Sequence, residues 1–167
     1  MNIFVLDSDI VKSSEYLVDK HLVKQILEHC QILCTVHHVY NTLNIPYRKT
    51  HVNHPCTIWV RESLSNYNWL VDYTQAMLSE YTYRYEKIHA CQKVIDWARK
   101  NILPIEDKGL TPFALAMPEQ YKNKSAVTSY RNYYIGEKHT LFSWKKRKKP
   151  YWIKKHFQKL ELIHNIN

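Results

Sequence analysis

The stretch that decides the fold is Val18-Asp19-Lys20-His21-Leu22-Val23-Lys24-Gln25-Ile26-Leu27-Glu28. Its residues repeat with the period of an α-helix, since steps of about 100° per residue place polar and apolar side chains on opposite sides. Continued to residue 38, the polar stripe contains His21, Lys24, Glu28, Gln31, Thr35 and His38. The apolar side contains Leu22, Val23, Ile26, Leu27, Cys30, Leu33 and Cys34. A stripe with imidazole, ammonium, carboxylate and amide groups indicates a functional face, and an ordinary solvated face is the alternative.

The rest of the chain predicts further helices around this one. The helix with the polar stripe is expected to begin near Ser13 or Ser14 and to end at about Tyr40. A second long helix is expected from Pro55 to about His89, because apolar residues recur there at three- and four-residue steps. Shorter helices are predicted over residues 91–101, 125–135 and 152–164, with Gly136 ending the second of these. Residues 102–124 are predicted to form an irregular connection with one helical turn at 113–117.

Composition limits the fold class further. The chain has 167 residues, of which 45% are hydrophobic and 13% aromatic, so it can bury a core as one globular domain. Its two glycines argue against a β-sandwich and against a glycine-rich phosphate loop. Residues 2–6 are expected to form a short strand or an extended apolar arm. We therefore predict an all-α fold, with residues 1–167 in one compact domain.

Positive charge is concentrated near the C-terminus. The net charge is +9, and residues 138–159 contain nine Lys or Arg and no Asp or Glu. Aromatic residues alternate with this charge at Trp144, Tyr151, Trp152 and Phe157. Basic side chains neutralise phosphates and flat rings stack on bases, so we predict a nucleic-acid-contacting segment at 138–159. The residues assigned to nucleic acid here are Lys146, Arg147, Lys148 and Trp152, and a solubilising tail is the alternative.

A second dense group of polar residues precedes the second long helix. His51, Asn53 and His54 lie at the predicted helix start, where free N–H groups favour an anion, and Arg61 lies two turns further on. These residues predict a phosphate-binding corner, with an ordinary helix cap as the alternative. Arg131, among the tyrosines of the fourth helix, is predicted to contact a phosphate as well.

Other site classes and locations have weaker sequence support. His51 and His54, with His21 or Cys56, are candidate ligands for a zinc ion. The sequence contains no HExxH motif and no cysteine pair, so we expect no metal and no other cofactor. No apolar run approaches the ~20 residues of a membrane span. The first residues lack the pattern of a signal peptide, so a cytoplasmic location without membrane contact is expected.

With these residues identified, the chain resembles the pyrimidine-dimer DNA glycosylases of the phage endonuclease V type. That family is all-α, and its first long helix carries Asp-x-His-Leu followed six residues later by the catalytic glutamate, the spacing of Asp19-Lys20-His21-Leu22 and Glu28. The family's second helix start resembles residues 51–54, and its basic aromatic C-terminal segment is similar to Lys149-Pro150-Tyr151-Trp152. The chain is also similar to small phage proteins that begin Met-Asn-Ile-Phe-Val and contain Asp-Lys-His and Thr-Pro-Phe-Ala-x-Ala-Met-Pro.

The resemblance implies an amine nucleophile beside Glu28. In the family this is the α-amine of the first residue, and here Met1 is expected to be retained because Asn2 is bulky. Two features depart from the family pattern: the N-terminus extends further, and Leu27 replaces an arginine. The sequence therefore leaves the nucleophilic amine open among the α-amine of Met1 and the side chains of Lys24 and Lys20, while His21 is expected to orient groups or relay a proton.

The predicted function is DNA base processing, by a glycosylase with possible strand-cleaving lyase activity on damaged or modified pyrimidines. The expected partner is nucleic acid, with double-stranded DNA favoured, and the sequence leaves the oligomeric state open. Two alternatives are an enzyme acting on a free nucleotide or small phosphorylated ligand, and a non-catalytic nucleic-acid-binding phage protein.

Overall fold

A computed structural model describes the backbone of residues 1–164, with side chains described except at residues 160 and 162–164. This part of the chain is all-α and contains no strand, as predicted. The helices are α1 (Ile10–Tyr16), α2 (Asp19–Val39), α3 (Pro55–Glu62), α4 (Leu64–Tyr85), α5 (Gln92–Lys100), α6 (Ala126–Glu137) and α7 (Tyr151–His164). Two short 3₁₀ turns lie at Glu119–Tyr121 and His139–Leu141. Across residues 1–164, none of the helices has the length and apolar character that a membrane span requires.

The first predicted long helix is divided into α1 and α2. Leu17 and Val18 are extended, with ψ of 132° and 153°. The buried Arg84 donates hydrogen bonds of 2.8 Å to the carbonyl oxygens of Leu17 and Glu15. Because the guanidinium binds these carbonyls from α4, the chain can leave the helix there without burying unpaired acceptors.

The second predicted long helix is likewise divided, at Ser63, and ends at Tyr85 and not His89. Ser63 is extended (φ −150°, ψ 144°), and its hydroxyl donates to the carbonyl oxygen of Gly109 over 2.8 Å. The carboxylate of Asp107 accepts from the amide of Ser65 over 3.2 Å, in the first turn of α4. A distant loop therefore provides the hydrogen bonds that separate α3 from α4.

Helix α2 is the centre of the fold and packs against α3, α4 and α5. Its polar stripe is not a solvated face, because His21, Glu28 and Thr35 are all buried. Two residues assigned to the apolar side, Val23 and Leu27, are instead 40% exposed. Phe4 of the N-terminal arm and Tyr134 of α6 cover the stripe at His21, whereas Lys24 stays exposed.

The N-terminal arm is extended without forming a strand, and Ile3, Phe4, Val5 and Leu6 are buried. Helix α6 begins after the Ser125 cap but continues through Gly136, which was expected to end it. A Cβ at Gly136 would lie 2.5 Å from the ring of Tyr121, so any larger residue there would have to push this ring aside. The turn expected at 113–117 is not helical, and a 3₁₀ turn follows it instead.

Candidate active site

A cavity of about 280 Å³ lies where the N-terminal arm crosses α2 and α6. Three of the predicted catalytic side chains line it, together with the first residue. The lining consists of Met1, Asn2, Phe4, His21, Lys24, Gln25, Glu28, Ala116, Tyr133 and Lys138. The structure therefore brings Met1, His21, Lys24 and Glu28 to one place, in a space large enough for part of a nucleotide.

Glu28 lies at the floor of this cavity and is 7% exposed. Its Oε2 atom lies 3.8 Å from the α-amino nitrogen of Met1, and its Oε1 atom lies 3.5 Å from Nζ of Lys24. Oε2 has no hydrogen-bond partner among the described residues. The carboxylate thus faces two amines and keeps a free acceptor for a further group.

The buried arm brings the α-amine of Met1 to Glu28. The side-chain amide of Asn2 donates to the carbonyl oxygen of Ala116 over 2.7 Å. Its amide oxygen accepts from the hydroxyl of Tyr130 over 2.9 Å and from the backbone N–H of Ile3. These bonds fix the residue next to the amine and so hold the amine beside the glutamate.

His21 is held between aromatic rings. Its ring stacks on Phe4, with centroids 4.8 Å apart, and its Nδ1 lies 2.7 Å from the hydroxyl of Tyr134. Burial, with added repulsion from Lys138 and Lys24, lowers the pKa of His21 to about 4. The Tyr134 oxygen accepts the N–H of Val18, and the Tyr134 hydroxyl can donate its own proton to Nδ1 of His21. In this arrangement the neutral imidazole carries its hydrogen on Nε2.

The rim of the cavity is cationic and aromatic. Nζ of Lys138 lies 4.7 Å from the ring centroid of Tyr133, and both residues line the cavity beside the exposed Lys24. Lys20, the alternative amine, is exposed and is not among the lining residues. A phosphate on this rim would be close to two lysines, and a base could meet the Tyr133 ring.

The predicted phosphate corner at the start of α3 lies outside the lining of this cavity. His54 caps α3, since its ring accepts the N–H of Cys56 over 3.2 Å, and Arg61 donates to the carbonyl oxygen of Val52 over 2.6 Å. His51 and Asn53 are exposed. Burial, followed by the charge of the N-terminus, lowers the pKa of His54. The cap alternative therefore describes His54, while Arg61 binds the loop that precedes α3.

Arg131 is also used within the fold. It donates to the carbonyl oxygen of Leu6 over 2.8 Å and pairs with Asp7 at 3.0 Å. Its guanidinium lies 5.3 Å from the ring centroid of Trp152. These contacts attach α6 to the arm and to α7, so the guanidinium is not free to bind a phosphate as predicted.

The basic segment 138–159 is part of the fold and not a tail. Asp19 accepts from the hydroxyl of Ser143 and the backbone N–H of Lys145, and Arg147 pairs with Glu80 at 2.8 Å. Burial by itself would raise the pKa of Asp19, but its hydrogen bonds and the Arg84 guanidinium outweigh this effect, so the pKa is lowered. Asp19, the first residue of the family motif, therefore anchors the segment.

Residues 146–151, the outer part of the segment, border an open cleft of about 400 Å³. Lys148 and Lys149 are exposed, and Tyr151 is 61% exposed, whereas Trp152 is buried against Tyr134. The interpretation of Trp152 as a stacking platform is corrected, because its ring is enclosed; Tyr151 is the open ring. Of the basic residues that line this cleft, Lys146 pairs with Glu86 and Arg147 with Glu80, so the unpaired charge there lies on Lys148 and Lys149.

A second cavity, of about 440 Å³, lies elsewhere, between α4 and α5. Its charged groups, Asp72 and Arg99, pair with each other at 2.8 Å, and its other lining is mostly apolar. It contains none of the predicted catalytic residues. No cluster of three potential metal-ligating side chains occurs within the described residues, and all four cysteines are free and buried.

The family model for pyrimidine dimer DNA glycosylases matches residues 1–93, which is more than half of the chain. The chain belongs to this family. The match includes Met1, His21, Lys24 and Glu28, and it ends before α6. Neither the search of curated proteins nor that of solved structures gave a significant match.

Beside the predicted catalytic residues, the cavity is lined by Gln25, Asn2, Tyr133 and Lys138. Gln25 follows His21 by one helical turn, so helical spacing alone places it beside the stripe. Lys138 belongs to the basic segment predicted to contact nucleic acid, and Tyr133 is one of the tyrosines of the fourth helix. Both come from beyond the residues that the family model matches, and nothing in the local sequence marks Asn2.

Proposed function

We propose that this protein is a DNA glycosylase with lyase activity, acting on damaged pyrimidines in double-stranded DNA through the α-amine of Met1. One observation carries the proposal: an amine and a buried carboxylate face each other across 3.8 Å in a cavity with a cationic rim. Membership of the pyrimidine dimer DNA glycosylase family supports the same reaction class.

In the proposed reaction the unprotonated amine attacks C1′ of the target nucleotide. The bond between C1′ and the base breaks, the base leaves with the electron pair and acquires a proton, and the sugar opens to a Schiff base with the amine. Glu28 stabilises the positive charge that develops on the deoxyribose, because its carboxylate is fixed and shielded from water. His21, with hydrogen on Nε2, donates a hydrogen bond within the cavity.

Strand cleavage would follow from the same intermediate. Loss of a proton from C2′ of the Schiff base expels the phosphate on C3′, and water then releases the amine. Lys24 and Lys138 on the rim would hold the flanking phosphates, and Lys148, Lys149 and Tyr151 would extend the contact along the strand.

Borohydride trapping tests the proposal, since it reduces a Schiff base to a stable adduct. The wild-type protein should form an adduct with duplex DNA carrying an abasic site or a thymine dimer, and mass spectrometry should locate the label at Met1. Lys24→Met and Lys20→Met should still be trapped. Absence of an adduct from a folded, DNA-binding protein would instead favour a non-catalytic binding protein.

Glu28→Gln keeps the shape of the side chain but removes its charge. Single-turnover cleavage should fall by at least ~100-fold, while the melting temperature and DNA affinity change little. Glu106→Gln is the matched control, because Glu106 is exposed and lies outside the cavity. Full activity of stably folded Glu28→Gln would contradict the proposed role.

A further inference from the structure

Gln25 has a buried side-chain oxygen with no donor. The residue lies on α2 one turn after His21, is 5% exposed, and lines the cavity of Met1 and Glu28. Its Oε1 makes no hydrogen bond within the described residues. Buried amide oxygens are almost always paired, because an unmade hydrogen bond in an interior is costly. An unpaired one on a residue that lines a cavity indicates a donor that arrives with the ligand.

The other groups of the cavity do not supply that donor. The amide of Asn2 is occupied by Ala116 and Tyr130, and the amines of Met1 and Lys24 lie nearest to Glu28. The carboxamide of Gln25 therefore remains free to bind a ligand. It presents an acceptor and an N–H₂ donor side by side, so it would fit a ligand edge that carries a donor next to an acceptor.

We propose that Gln25 binds the imide edge of the target pyrimidine. Its Oε1 accepts the N3–H of a thymine-type base, and its Nε2 donates to a carbonyl oxygen next to N3. The second bond also stabilises the negative charge that the base acquires as the bond to C1′ breaks. This inference rests on the proposed glycosylase function and makes Gln25 a substrate-binding residue for base removal, distinct from the amine chemistry at Met1 and Glu28.

The role predicts a difference between two substrates. Gln25→Met keeps the volume and removes both hydrogen-bonding groups, so release of a thymine dimer base should slow by about 10- to 100-fold. An abasic site has no base to bind, so cleavage of abasic DNA and borohydride trapping on it should stay within about twofold of wild type. The half-buried Gln31 lies outside the cavity, and Gln31→Met should change neither rate.

The outcomes separate this inference from the proposed function. Equal losses on both substrates, at an unchanged melting temperature, would show that Gln25 acts on the amine and would overturn base binding while leaving the enzyme assignment intact. Unchanged rates of Gln25→Met on both substrates would also overturn base binding by Gln25. The same holds if the wild-type protein cuts abasic DNA but releases no pyrimidine. A wild-type protein that forms no adduct with abasic DNA would contradict the proposed function itself and this inference with it.

Discussion

The α-amino nitrogen of Met1 lies 3.8 Å from the carboxylate of Glu28. The two residues are far apart in the sequence, and the packing of the arm on α2 brings them together. The arm has no helix or strand to fix it. Its position depends on the buried side chains of Ile3 to Leu6 and on the hydrogen bonds of Asn2. The geometry of the proposed nucleophile is therefore a tertiary property.

Asn2→Leu should impair turnover without impairing DNA binding. Leucine at position 2 is bulky enough for Met1 to be retained. It cannot form hydrogen bonds to Ala116 or Tyr130, however, so the amine is less well oriented towards Glu28. Misplacement by about 1 Å can cost on the order of 100-fold in rate. We expect single-turnover cleavage to fall by about 10- to 100-fold with an unchanged DNA dissociation constant. Asn132→Leu, at an exposed position, is the control, and equal rates for both variants would contradict the positioning role.

Lys148 and Lys149 should carry much of the electrostatic DNA binding. Both are exposed, and neither forms an ion pair with another described residue, so their charge is available to phosphates. Replacing both by alanine should reduce the salt slope of log K by about 2 units, at roughly 0.9 per phosphate contact. The melting temperature should not change. If affinity and slope in a salt titration match wild type, this surface does not contact DNA.

Arg147→Ala provides the contrasting case within the same segment. Arg147 pairs with Glu80 and Glu15 and lies 4.2 Å from the ring centroid of Tyr83, which makes it a structural contact. We expect its loss to lower the melting temperature, which the lysine replacements should leave unchanged.

Arg84→Met should be the most destabilising replacement of a charged residue. Arg84 is fully buried and donates to Glu80, Asp19 and two carbonyls of the α1–α2 junction. Its removal leaves Glu80 buried beside fewer cations, and breaking a buried pair costs about 3–5 kcal/mol. Urea unfolding measures this. Arg99→Met removes an exposed pair with Asp72 and should cost less than ~1 kcal/mol; similar losses for both would contradict the assigned role.

Acid should destabilise the protein through its buried histidines. Burial lowers the pKa of His21 and His37 to about 4 and that of His29 to about 3, below the ordinary value of about 6.5. As pH falls from about 6.5 towards 4, the unfolded state binds these protons and the native state does not. Each histidine then reduces the free energy of unfolding by up to about 1.4 kcal/mol per pH unit, and above pH 6.5 this stability is fully present.

Urea unfolding between pH 7.5 and 4.5 measures this dependence. His37→Gln should reduce the slope of stability against pH by about one proton, whatever its effect on stability at neutral pH. The exposed His139→Gln should leave the slope unchanged. A slope in His37→Gln equal to that of wild type would show that His37 does not titrate in this way.

Local sequence patterns were sufficient for the helices that are regular over many residues. The period of α2, the start of α6 near Ser125 and the last helix were predictable, because they depend on residues close together in the chain. The breaks at Leu17 and Ser63 were not, since Arg84 and the 107–109 loop, both distant in sequence, provide the hydrogen bonds that end the helices.

The candidate site divides in the same way. The spacing of His21, Lys24 and Glu28 is a property of one helix, so the sequence by itself determined that these groups share a face. Only the tertiary structure decided that His21 and Glu28 are buried while Lys24 stays exposed, that the amine of Met1 meets Glu28, and that Gln25, Tyr133 and Lys138 complete the cavity. Helical periodicity acts over a few residues, whereas these contacts depend on how the arm and α6 pack on α2, which no local pattern encodes.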